Sequence, residues 1–137
     1  MFAMSNREAL ETLYFADAQQ IDELPWTQVP RCPGVHEKTL WRFGDFVVAL
    51  IRYQPNATTP GAPHLAAHHH IWVVSGAAEV AGRRLAAGSY AHVPPGTAHP
   101  VGNIGDEACT ILQMHRPHPP REAELLLAGA QSSSPTS

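Results

Sequence analysis

Between residues 38 and 115 the chain consists of short runs rich in β-branched and aromatic residues, each closed by turn-forming residues. Runs of this length and composition read as strands. Residues 38–43 and 46–53 flank the hairpin-like pair Gly44-Asp45. Residues 69–74 end at Ser75-Gly76, 77–80 and 83–85 flank Ala81-Gly82, and 89–93 stop at Pro94-Pro95-Gly96. The extended pattern resumes over 99–101, turns at Gly105-Asp106 and ends in an apolar strand over 109–115. Residues 55–63 read as a loop. Upstream, Leu10, Leu13 and Tyr14 recur at helical spacing and Ser5 with Glu8 has capping-box form, which predicts a helix over 6–18. The prolines from 25 to 34 forbid regular structure there. A short helix is expected over 121–127, and the small polar residues 131–137 are expected to be disordered. About eight short strands with little helix predict an all-β barrel or jelly roll.

Thirteen prolines and ten glycines in 137 residues agree with many turns. The length suits one domain, read as a helix and arm over 1–34, a barrel over 35–118, and a short helix and tail over 119–137. A net charge of −3 without a basic stripe argues against a nucleic-acid partner. No apolar run is long enough to span a bilayer, and the N-terminus lacks the apolar core of a signal peptide. Cys32 and Cys109 lie far apart, so two free thiols in a cytoplasmic protein are expected. No Gly-x-Ser-x-Gly elbow, phosphate loop or dinucleotide fingerprint is present.

The candidate chemistry lies in the nine histidines. His64 and the triplet His68-His69-His70 precede the run Ile71-Trp72-Val73-Val74, and His99 follows the Pro-Pro-Gly turn. Neutral imidazole is the commonest protein metal ligand, and such a grouping suggests a metal held between strands. Alternate residues of a strand face opposite sides, so the three adjacent histidines cannot all be ligands on a regular strand.

Gly88, Pro94, Gly96, His99 and Asn103 fit G-x5-P-x-G-x2-H-x3-N at every fixed position. The segment therefore resembles the second motif of the cupins. In the first cupin motif, G-x5-H-x-H-x3-4-E-x6-G, Gly76 takes the terminal glycine. The motif's glutamate then falls on His69, its second histidine on His64 and its first on Ala62. Shorter stretches upstream (Asp22-Glu23-Leu24-Pro25-Trp26, Pro33-Gly34-Val35 and Leu50-Ile51-Arg52-Tyr53-Gln54-Pro55) resemble the small ChrR-like cupins. That group is similar to three-histidine dioxygenases of diketones and hydroxyacetophenones, and includes the zinc-binding domain of an anti-sigma factor.

The resemblance implies an all-β, cupin-type jelly-roll β-barrel with a short N-terminal helix, paired as a homodimer. It implies one divalent metal on His64, His69 and His99, with His68 or His70 as the alternative should the strand register slip. The metal is iron first, with zinc, nickel, manganese or copper as the other choices. Gln113, His115 and His92 are candidate pocket residues; in the opposite register Leu112 and Met114 pack the core instead. Two functions follow. One is a non-haem oxygenase acting on a small oxygen-rich carbonyl compound. The other is a non-catalytic metal or small-molecule sensor, for which a fourth protein ligand would argue.

Overall fold

The computed structural model describes residues 12–117. Among these residues ten strands follow one helix: α1 (Ala18–Glu23), β1 (Thr27–Gln28), β2 (Val35–Phe43), β3 (Phe46–Tyr53), β4 (Thr58–Thr59), β5 (Ala67–Ser75), β6 (Ala77–Val80), β7 (Arg83–Ala86), β8 (Tyr90–Val93), β9 (Val101–Asn103) and β10 (Cys109–Pro117). They form an antiparallel six-stranded sheet, in the order β1-β2-β3-β10-β5-β8, and a four-stranded sheet, in the order β4-β9-β6-β7. The core lies between them: Val35, Ile51, Tyr53, Ile71, Val73, Cys109 and Ile111 from the first meet Ala78, Val80 and Val101 from the second. Cys32 and Cys109 are buried there as free thiols.

The two sheets do not hydrogen-bond into a closed cylinder among the described residues, so the expected barrel is a two-sheet jelly roll. The edges explain this. β1, β4, β7 and β8 span two to four residues each, and Pro30, Pro60 and Pro94 follow β1, β4 and β8 closely. Proline donates no ladder hydrogen bond and blunts an edge. The sheets are joined instead by side chains. The Tyr53 hydroxyl lies 2.9 Å from Thr59 Oγ1, and burial pushes the Tyr53 phenol up to about 12.

Three expectations need correction. Residues 12–17 are not helical, while α1 begins at Ala18. Asp17 accepts from the Gln20 backbone and the Gln20 side chain accepts from the Asp17 N–H, so this reciprocal cap sets the start. The proline-rich stretch carries β1, because Thr27 and Gln28 sit between Pro25 and Pro30 and keep their own N–H groups to pair with Glu37 and His36. Thr58 and Thr59, read as loop, pair with Gly102 and Val101. The rest of the 6–18 helix, the 121–127 helix and the 131–137 tail lie outside the described residues. Among those described, no helix is long and apolar enough to cross a membrane.

α1 has no buried residue of its own. What ties it to the outer face of the sheet is Lys38, only 5 % exposed. Its ammonium donates to the Ile21 carbonyl at 2.9 Å and the Asp22 carbonyl at 3.3 Å. A cation suits the C-terminal end of a helix, where carbonyls lack intrahelical partners. Trp26 adds a ring 4.7 Å from Lys38 Nζ and 4.1 Å from the Arg52 guanidinium. Lys38→Met keeps the apolar stem and removes the donors. It is expected to cost about 1–3 kcal/mol and to make the segment around α1 protease-sensitive in limited digestion. Unchanged cleavage would show that the arm is held by other contacts.

Candidate metal centre

Period-two alternation on β5 gives its burial pattern: Ala67, His69, Ile71 and Val73 are buried, and His68, His70 and Trp72 between them lie on the opposite face. His69 therefore enters the space between the sheets. On β10, His115 pairs with His69 and Gln113 with Ile71, so both share that inner face.

Two non-strand segments complete the group. The turn Pro94-Pro95-Gly96 returns the chain so that His99 is buried. The loop before β5 carries His64, which is exposed. Backbone hydrogen bonds clasp these segments together, from His99 N–H to the Gly61 carbonyl at 2.8 Å and from Gly96 N–H to the His64 carbonyl at 3.0 Å. The result is a contiguous set of four imidazoles. Ring centroids are 4.5 Å apart for His69 and His99, 4.8 Å for His69 and His115, 4.8 Å for His64 and His115, and 6.3 Å for His64 and His69.

Their protonation follows from their neighbours. His115 Nδ1 lies 2.6 Å from the Asp45 carbonyl oxygen. A carbonyl only accepts, so Nδ1 carries the hydrogen and Nε2 the lone pair. That Nε2 is buried without a hydrogen-bond partner. A carbonyl likewise takes the Nδ1 hydrogen of His99, on Thr97 at 3.2 Å. Carbonyls behind ring nitrogens in this way are the usual outer support of histidine ligands. Burial, with His99, His115, His64 and His70 adding to it, lowers His69 to about 4, so it is a neutral donor at pH 7. The donor set thus suits a borderline transition metal. The rings lie against one another in this conformation, and no group of three among the described residues yet has the spacing to hold an ion. Ligation asks the side chains to turn on a backbone that already brings them together.

His68, His70 and His92 are not part of this group. Val93 is buried, so its neighbour His92 must point out of the sandwich, where it is exposed. His68 and His70 are excluded by the parity of β5. The position of the missing first-motif histidine, Ala62, is exposed in the loop. His115, read from the sequence only as a pocket residue, stands with the other three from a different strand.

The sequence profile of the ChrR cupin-like domain matches residues 16–119. The chain belongs to the ChrR cupin-like family. A search of curated proteins finds no match. Solved cupins share the fold. A predicted oxalate decarboxylase from Thermotoga maritima aligns with a TM-score of 0.63 at 14 % identity, over 72 % of this chain and 96 % of its own. An RmlC-like cupin from Shewanella frigidimarina gives 0.63 at 17 %, over 80 % and 96 %. KdgF from a Halomonas species gives 0.60 at 26 %, over 71 % and 92 %. In each of these three the likeness spans most of the relative's own chain.

Proposed function

We propose that this cupin holds one divalent transition metal on His69, His99 and His115, with His64 as the ligand at the mouth, and acts as a metal-dependent oxygenase on a small oxygen-rich carbonyl compound. The observation that carries the metal is the buried His115 Nε2, a lone pair without a donor beside three more imidazoles. An unpaired buried acceptor is costly unless something occupies it.

Four neutral ligands leave the full charge of a bound ion uncompensated, which favours an anionic, bidentate oxygen ligand. Iron in such a site would supply Lewis acidity and access to dioxygen. The chain's own part is to orient and to admit. The Thr97 and Asp45 carbonyls fix the ring nitrogens of His99 and His115. Exposed His64 leaves the site open toward solvent, and Gln113, on the same inner face, is the residue this reading assigns to hydrogen-bond a bound oxygen. A small-molecule substrate and a homodimer belong to this reading through the family resemblance.

The fourth histidine favours a second reading. Four imidazoles can fill a tetrahedral zinc site, which would make the domain a non-catalytic sensor. Elemental analysis of the untagged protein separates the two. Iron near stoichiometric amounts, lost in His69→Ala, His99→Ala and His115→Ala, together with oxygen uptake on diketones or aromatic ketones, is the outcome expected of the oxygenase. Tightly held zinc that needs all four histidines, with no turnover after exchange for iron, supports the sensor. No metal under any loading sinks both.

A further inference from the structure

The histidines left out of the interior form a second cluster on the opposite face of the sheet. His68 and His70 project from β5, and His92 from the edge strand β8 directly opposite His70. His68 Nδ1 and His92 Nε2 are 2.8 Å apart, so a single hydrogen is shared between two imidazole nitrogens. The His92 ring lies 5.0 Å from that of His68 and 5.1 Å from that of His70. Behind them Tyr90, also on β8, places its hydroxyl 2.5 Å from His70 Nδ1. Nothing in the interior site accounts for this arrangement, and β5 itself separates the two groups.

We propose that His68, His70 and His92 form a second site, on the outer face, for a divalent transition metal of the zinc, nickel or copper class. Two histidines at alternate positions of a strand with a third across the ladder approach from two sides, and imidazole suits all three metals. A hydrogen shared by two ring nitrogens marks where an ion can replace it. With metal–nitrogen distances of about 2.0–2.1 Å, the two nitrogens need to part by only roughly half an ångström in a tetrahedral site. His70 completes the set by a turn of its ring, as the three do not yet surround one point. If His70 donates from Nδ1 to the Tyr90 oxygen, its Nε2 lone pair faces the ion, and Tyr90 is then a positioning residue. A groove of about 490 Å³ beside Tyr90 and His92 gives the edge access to solvent. Bound there, an ion would clip the edge strand β8 to β5.

The test uses the full untagged chain, stripped by chelator and titrated with Zn²⁺, Ni²⁺ or Cu²⁺ by calorimetry, with elemental analysis after desalting. His92→Ala is expected to bind one ion fewer than the parent. Tyr90→Phe is expected to keep the ion but hold it about tenfold less tightly. A His69→Ala/His99→Ala variant, broken inside, should still bind an ion that His92→Ala then removes, so failure of the interior site would not be mistaken for failure of this one. His36→Ala, a histidine in neither cluster, should change nothing. Copper bound to the interior-broken variant should show nitrogen superhyperfine splitting that His92→Ala abolishes. A stoichiometry and affinity indifferent to His92→Ala overturn the proposal.

Discussion

Asn103→Ala is expected to be among the most damaging single changes outside the histidines, lowering stability by about 2–4 kcal/mol. Asn103 is 4 % exposed, and its amide is fully used. Nδ2 donates to the Tyr53 carbonyl at 2.9 Å and the Glu107 carbonyl at 2.7 Å, and Oδ1 accepts from Gly105 N–H at 2.8 Å. One side chain thus pins the end of β9 to the end of β3 and to the turn before β10. Alanine leaves a buried carbonyl and two partly buried groups without partners, and orphaned groups cost more than the bonds contribute on balance. Asn103→Asp is expected to be at least as harmful at pH 7. A carboxylate cannot donate, and it would face two carbonyl oxygens. Urea unfolding at neutral pH checks both. Midpoints equal to the parent's would mean that water serves all three groups.

Gly61→Ala is expected to be comparably severe, by about 2–5 kcal/mol, and to reach the site as well. Gly61 has φ +56, and a Cβ there would lie 2.1 Å from the His99 carbonyl oxygen and 2.3 Å from its carbon. Both neighbours are backbone, so no rotamer change relieves the overlap. His99 also donates its backbone N–H to the carbonyl of this residue, so displacing one side of the clasp displaces the imidazole with it. The matched control is Gly82→Ala. Gly82 has φ +84 with nothing within 4 Å of the added Cβ, so only conformational strain of roughly 1–2 kcal/mol is expected there. The two variants should differ clearly in urea midpoint, and only Gly61→Ala should lose metal at temperatures where both remain folded. Equal losses would refute the clasp.

The strands were readable because each combines an alternating or β-rich run with a turn; β3 and β6 keep the boundaries expected from sequence. β1 and β4 were not, because two residues carry no period. The cap that starts α1 was present in the sequence as Asp17 followed three positions later by Gln20, but the apolar spacing of Leu10, Leu13 and Tyr14 was the stronger periodic signal and this short polar helix has none of its own. His115 shows a different limit. On β10, Leu112 and Met114 are more apolar than Gln113 and His115, so hydrophobicity alone assigns the faces backwards. Which face is interior is decided by pairing with β5 and β3, a non-local fact. The inner face at that end of the sheet is lined by imidazoles, so the usual apolar-in rule does not hold there.

The consecutive histidines of β5 also bear on how this fold can tolerate insertions and deletions. A strand that slips by one residue exchanges its two faces completely, and for most sites that change is lethal because the ligand leaves the pocket. Here the residue before His69 and the residue after it are both histidines. A single-residue deletion or insertion just upstream, shifting the strand either way against β10, would still present an imidazole to the interior. The triplet makes one proposed ligand of the candidate centre indifferent to frame along the strand, whereas His99 and His115 have no such neighbour and depend wholly on the lengths of the turns that deliver them.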